Sequence, residues 1–326
     1  MSVSISSNEI KVGNLRYFSD ENLISIVDEK FTLESQDKKH FFAEDNRSFK
    51  ILSSQPKILI KVHQNPLHNV INTYGTILNC LNIFENPLFI FNTYNLRPGY
   101  LNHNLIEFFY CFLKDNNINR MFLDPALHSQ ILIDNFYFAM QSDDQPVPNP
   151  INKINEKFLD YVDRDYEPFR KVYVSRKNIV PKTYEFEKKQ DLLKDFKERL
   201  SDEYILEKYF QDKNFEIVYP ENFNSFIEQI NYFSEVKTLI SLSGASAMNG
   251  IFMKPKTNIL EISTELVTPH NSREHGGFIR AQHHFFHNIS YERDIYFYSI
   301  KNDTKKSEDI INKIESNKFL KELVNE

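Results

Sequence analysis

Glycine is scarce in this chain, with seven in 326 residues, and that scarcity removes two nucleotide-binding signatures at once. Positions 13, 75, 99, 244, 250, 276 and 277 form neither G-x-G-x-x-G nor G-x-x-x-x-G-K-[ST], so a dinucleotide fingerprint and a P-loop are both excluded. Cysteine is scarcer still. Cys80 and Cys111 are too few for a disulfide framework, and both sit in apolar, helix-like runs where a free thiol behaves as a small hydrophobe. A reducing compartment fits, and a cytoplasmic protein is the expectation. Positive charge is also short: 39 Lys and Arg face 45 Asp and Glu, a formal charge of −6. No basic surplus exists to neutralise a phosphate backbone, so nucleic acid is not expected as a partner. The N-terminal residues lack the basic start and apolar stretch of a signal peptide. No run approaches the roughly 18 apolar residues of a membrane span, since Glu107 interrupts the best stretch, residues 105–113. The sequons at Asn46, Asn288 and Asn302 then carry no meaning.

What the chain does have is large apolar side chains, 29 Phe and 17 Tyr among a 41% hydrophobic fraction, with 26% charged residues. That composition is globular, and the length suggests about two domains with a core each. Residues 1–62 read as strand-rich and turn-broken, ending in a buried strand at 58–62. An apolar face recurs at three- and four-residue steps over 67–84, predicting a helix. A strand at 88–91, a helix at 103–115, a strand at 120–123 and a strand at 131–139 follow. Three prolines and two acids between 141 and 150 read as a linker, dividing the chain into domains at 1–145 and 150–326. Beyond it the reading is helix 151–164, strand at 171–176, helix 184–210 broken near Ser201, strand at 215–220, helix 224–235, strand at 238–244 and strand at 258–263. This alternation implies a parallel sheet with helices on its faces. Residues 304–323 read as a terminal amphipathic helix. No internal repeat is visible.

In an open parallel sheet, ligands collect outside the carboxyl ends of the strands. Those ends supply Ser175-Arg176, Tyr219-Pro220-Glu221, Ser243-Gly244-Ala245-Ser246 and Glu261. The small residues of 243–249 join a strand to a short helix, allow close backbone approach and suit an anion seat. A diphosphate there needs a cation as well, and Arg176, whose fork grips phosphate, is the candidate.

These residues carry a resemblance. VYVSRK (172–177), and the stretch from FEIVYPENF through SFIEQI and SLSGASAMNGIFM to NILEIS (215–263), resemble the C-terminal half of glycosyltransferase family 61. That family includes plant β-1,2-xylosyltransferases, extracellular O-GlcNAc transferases and bacterial polysaccharide-assembly proteins. NPLHNVINTYGTIL (65–78) resembles its weaker N-terminal segment. The resemblance implies an α/β fold of GT-B architecture: two Rossmann-like domains with a cleft between them, acceptor on the N-terminal side, nucleotide sugar on the C-terminal side, and inversion at the anomeric carbon. Arg176 falls on the family's strand-end Arg, Glu228 and Gln229 on its E-Q pair, Gly244 and Ala245 on its G-A, Asn249 on its Asn and Glu261 on the Glu of V-I-E-I. Ser243 stands where the family has His, Ser246 where it has Gly, and Ala247 where it has Leu.

The function expected is transfer from a nucleotide-diphosphate sugar, UDP-linked being favoured, to a saccharide or glycolipid-linked acceptor in polysaccharide or glycan synthesis. A glycolipid-linked acceptor leaves peripheral membrane contact open. Arg176, residues 243–246 and Asn249 would hold the diphosphate, Glu261 and the Tyr219-Pro220 turn the nucleoside, and Glu228 the loop or the ligand. A single displacement needs a base for the acceptor hydroxyl. His68, after a strand-to-helix turn, is the candidate because imidazole titrates near neutrality, and Asp124 is the reserve. No cofactor and no metal are expected. His283, His284 and His287 have helical i, i+4 spacing, yet no Cys or carboxylate completes a zinc set. Two alternatives stand beside this reading. One is a GT-B-fold nucleotide- or glycan-binding protein without turnover, motivated by Ser243. The other is a serine hydrolase using Ser246, for which Met248 occupies the position where a nucleophile elbow wants Gly.

Overall fold

A computed structural model describes residues 9–12, 15–18, 22–27, 30–35, 48–51, 54–63, 66, 69–92, 96, 103–123, 130–133, 135–139, 151–162, 167–176, 200, 202–263 and 289–326. The chain forms two compact units, Met1–Ser142 and Asp143–Glu326. The proline-rich segment 140–150 lies outside the described residues.

In the first unit the strands are β1 (Glu9–Val12), β2 (Leu15–Phe18), β3 (Asn22–Val27), β4 (Lys30–Ser35), β5 (Ser48–Ile51), β6 (Lys57–Ile60), β7 (Leu88–Asn92), β8 (Arg120–Leu123), β9 (Gln130–Ile133) and β10 (Phe136–Ala139). They build a six-stranded sheet in the order β1-β2-β10-β6-β7-β8 and a four-stranded sheet in the order β4-β3-β9-β5. The run β10-β6-β7-β8 is parallel. Its connections are helical: a π-helical turn, Asn69–Tyr74, runs into α1 (Gly75–Ile83) between β6 and β7, and α2 (His103–Asp115) joins β7 to β8.

Alternation decides what each face of β6 and β7 meets. Phe91 packs edge-on against Phe109 of α2 at 5.2 Å, and Tyr74 packs on Phe109 and Phe112 at 5.6 and 4.8 Å. Leu59 and Ile90 instead join Ile51, Leu123, Ile133 and Phe136 in a core shared with the second sheet. Helix α2 ends where Asn117 takes φ +51° and Ile118 donates back to the Leu113 carbonyl at 2.9 Å, a left-handed stop that Asn tolerates. Residues 131–139, expected as one strand, are two strands in different sheets. The break between them falls at Asn135, which has φ +45°.

The second unit contains α3 (Ile151–Leu159), β11 (Arg170–Val174), α4 (Glu203–Asp212), β12 (Glu216–Val218), α5 (Phe226–Ser234), β13 (Val236–Leu242), a 3-10 helix Ala245–Phe252, β14 (Asn258–Ser263), β15 (Tyr296–Lys301), α6 (Ser307–Ser316) and α7 (Lys318–Asn325). All five strands are parallel, in the order β12-β11-β13-β14-β15. Tyr173, Ile240, Leu260 and Ile300 face a core built with Leu206 and Phe210 of α4, Ile310 and Ile314 of α6, and Leu323 and Val324 of α7. Phe158 of α3, Phe226 of α5 and Phe252 form a second aromatic cluster, with centroids 5.7 to 6.2 Å apart.

Two differences from the sequence reading have local causes. Strand β15 was not anticipated, since as an edge strand it buries little: only Ile300 is fully covered. The single terminal helix is two, because Asn317 takes extended backbone and caps α7 by accepting from the N–H groups of Phe319 and Leu320 at 3.0 and 3.2 Å. Of the helix expected at 184–210, the described part is α4, and 177–199 lie outside.

Candidate functional site

The strand order of the second unit, numbered along the chain, is second-first-third-fourth-fifth. One connection leaves β11 toward β12 and the rest of the chain builds outward from β13, so a topological switch point lies between β11 and β13. At such a point the loops following the two strands diverge and leave a crevice at their carboxyl ends. The residue after β11 is Ser175, followed by Arg176; the residues after β13 are 243–246.

The structure brings these two loops together. The Arg176 guanidinium donates through Nη1 to the Ser243 carbonyl at 2.8 Å, spanning the switch point. Gly244 is what permits the approach. Its φ of +143° and ψ of −157° belong to a region that only glycine occupies readily, and a Cβ there would lie 2.8 Å from Nη1. The 3-10 helix begins at Ala245, so its first N–H groups, which have no intrahelical acceptor, follow directly on this contact.

The loop is held from behind. Ser243 donates its hydroxyl to Glu261 Oε1 at 2.5 Å, and its N–H to the Ile262 carbonyl at 2.9 Å. Glu261 is 1% exposed and pairs in register with Ser241 on β13. Gln229 of α5 donates to Asn249 Oδ1 at 2.6 Å, and Asn155 of α3 donates to the Ile251 carbonyl at 2.5 Å. Asn249 is wholly buried, and its Nδ2 has no hydrogen-bond partner among the described residues. Buried amides are nearly always satisfied, so this unmatched donor sets Asn249 apart from the other polar groups of the loop.

Three of the residues expected at the site have other commitments. Glu228 is exposed and closes a reciprocal cap at the start of α5: its N–H donates to Ser225 Oγ at 3.1 Å, and its carboxylate accepts from the Asn224 N–H at 2.8 Å. Its neighbour Gln229 is the one that reaches the loop. Tyr219 donates its hydroxyl to Glu207 Oε1 at 3.0 Å; burial and this carboxylate push its pKa up to about 12. Ser246 donates to the Leu242 carbonyl at 3.2 Å, so its hydroxyl serves the strand-to-helix turn. Pro220 opens the short 3-10 turn Pro220–Asn222, where burial raises the pKa of Glu221.

His68 and Asp124 lie outside the described residues, as do His283, His284 and His287. The described chain stops one residue short of Asp124, at the end of β8. Among the described residues no group of three or more His, Cys, Asp or Glu could hold a metal ion.

Sequence reasoning missed the carboxylates of α4. Glu203 accepts from the Arg176 N–H and the Tyr173 hydroxyl, both at 3.0 Å, and Glu207 accepts from Ser175 Oγ at 2.7 Å as well as from Tyr219. Their i, i+4 spacing reads along the chain as a solvated helix face; only the fold turns it toward the strand ends.

Comparison with protein families gives a match to the family described as Glycosyltransferase 61 over residues 101–260. The matched span contains Arg176, Tyr219, Pro220, Glu228, residues 243–246 and Asn249, ends one residue before Glu261, and begins after His68. No curated protein matches the chain. No helix among the described residues is long and apolar enough to cross a membrane.

Proposed function

Residues 101–260 match glycosyltransferase family 61, and from that premise we propose that the chain transfers a sugar, with inversion, from a nucleotide-diphosphate sugar to a saccharide or glycolipid-linked acceptor. A UDP-linked donor is favoured. The observation that carries the reading is the Arg176 contact with the Ser243 carbonyl across the switch point, beside a glycine whose missing side chain keeps the backbone open.

In this reading the second unit is the donor domain and the first the acceptor domain of a GT-B enzyme. Arg176, the loop 243–246 and the Asn249 amide bind the diphosphate; Glu261, acting under the loop through Ser243, and the Tyr219-Pro220 turn border the nucleoside. The acceptor hydroxyl oxygen attacks the anomeric carbon as the bond from that carbon to the phosphate oxygen breaks. The electron pair leaves with the diphosphate, where the guanidinium meets the growing charge, and the hydroxyl proton passes to His68 or, failing it, Asp124. No cofactor takes part. A peripheral contact with a membrane follows only if the acceptor is lipid-linked.

A second reading has its own observation. Ser243 occupies the position of the family's His, and its hydroxyl is spent on Glu261, which favours a nucleotide- or glycan-binding protein without turnover. Both readings predict that UDP stabilises the wild type, by about 2.7 kcal/mol at a hundredfold excess over Kd, and that Arg176→Ala responds far less. A thermal-unfolding panel with UDP, GDP and CMP tests this; no response to any nucleotide rejects the enzyme and the nucleotide-binding form of the second reading. Release of UDP from a UDP-sugar in the presence of acceptor then separates the enzyme from the binder.

A further inference from the structure

We propose that Glu203 and Glu207, one turn apart on α4, are positioning residues that fix the Ser175-Arg176 strand end so that the Arg176 guanidinium spans the switch point. The inference rests on the donor-site reading above and names residues outside the set assigned there.

Glu203 receives the backbone N–H of Arg176 and Glu207 the hydroxyl of Ser175, two consecutive residues leaving β11. Arg176 is therefore held at both ends, its backbone on Glu203 and its guanidinium on Ser243. The second bond of each carboxylate goes to a tyrosine hydroxyl, from Tyr173 on β11 and from Tyr219 after β12, so α4 ties both strand ends on its side of the crevice.

Ordinary helix-to-sheet packing does not require these groups. Leu206 and Phe210 already seat α4, the latter stacked on Tyr173 at 4.8 Å. A carboxylate in this position is a cost: Glu203 is 9% exposed, and burial raises its pKa although the Arg176 N–H and the Tyr173 hydroxyl act against the shift. Groups kept at a cost to stability point to a task other than stability, and the task available here is aim.

The test is a double-mutant cycle on UDP affinity, measured by calorimetric titration, with Arg176→Ala, Glu203→Ala and the pair. If Glu203 acts through Arg176, Glu203→Ala weakens binding about tenfold, while the double variant binds no more weakly than Arg176→Ala alone. Glu203→Gln keeps a carbonyl acceptor for the Arg176 N–H and restores affinity to within about threefold of wild type, and Glu207→Gln behaves alike. Since Gln matches Glu in shape, these variants keep the measurement open should Glu203→Ala fold poorly. Additive losses, or Glu203→Ala binding UDP like wild type, overturn the inference and leave the donor site standing. Wild-type protein that binds no nucleoside diphosphate overturns both.

Discussion

Replacing Gly244 by alanine perturbs the candidate site at its tightest point, and the structure lets the consequence be separated into two parts. The first is backbone strain. At φ +143° and ψ −157° a side-chain-bearing residue costs about 1–3 kcal/mol. For a unit of this size that is a fall in Tm of roughly 2–4 °C per kcal/mol. The second part is steric. The new methyl would lie 2.8 Å from Arg176 Nη1 and 3.2 Å from Cζ. A guanidinium is the far end of a flexible chain, so it swings away rather than forcing the loop, and the bond to the Ser243 carbonyl is lost. Gly244→Ala should therefore both lower Tm and lose most of the stabilisation that UDP gives. Gly250→Ala is the control: its Cβ meets Ile259 Cδ1 at 2.8 Å and Ile289 Cγ2 at 3.3 Å and not Arg176, so it should lower Tm through packing and keep the UDP response. Differential scanning fluorimetry of both variants with and without UDP decides. If Gly244→Ala melts at the wild-type temperature and responds fully to UDP, the geometry drawn for Arg176 is wrong.

Gln229→Leu should cost about 1–3 kcal/mol in denaturant unfolding, because it strips the Asn249 Oδ1 acceptor of its buried partner. Arg170→Met, which breaks half-buried contacts to Glu235 at 2.7 Å and Glu216 at 2.9 Å at the opposite end of the sheet, should cost about 1–2 kcal/mol and leave UDP binding unchanged by titration. The raised pKa of Glu203 means that folding favours its protonated form, so its contribution is full below the ordinary carboxylate range and lost as pH rises through the folded value. Glu203→Gln should therefore gain stability relative to wild type between acid and neutral pH, and equal pH profiles would contradict this. Burial pushes the Cys80 thiol up to about 12 while Cys111 is exposed, so iodoacetamide should modify one cysteine in the native protein and both after denaturation, as read by intact mass.

The helix at 103–115 and the strands at 120–123 and 258–263 were legible to the residue, because their apolar spacing and their flanking Asn and Pro residues point the same way. The loop at 243–246 and Arg176 were legible because a parallel sheet concentrates small and charged residues at strand ends. The break at Asn135 was passed over because the apolar residues on either side of Asp134-Asn135 read as one continuous strand, and the left-handed φ of Asn135 marks the interruption. Strand β15 stayed hidden because its mostly exposed residues alternate weakly. Glu228 and Gln229 exchange emphasis for a geometric reason: adjacent residues on α5 point about 100° apart, so one caps the helix while the other meets Asn249. The carboxylates of α4 were invisible, as no linear pattern distinguishes a Glu that faces water from one that faces a neighbouring strand end.

The central claim is that nucleoside diphosphate sits where β11 and β13 part, and a crystal structure of the protein soaked with UDP measures it directly. The account predicts diphosphate oxygens within hydrogen-bonding distance of the Arg176 guanidinium and of the first N–H groups of the 245–252 helix. Diphosphate bound elsewhere, with Arg176 still on the Ser243 carbonyl and no phosphate beside it, would contradict the account.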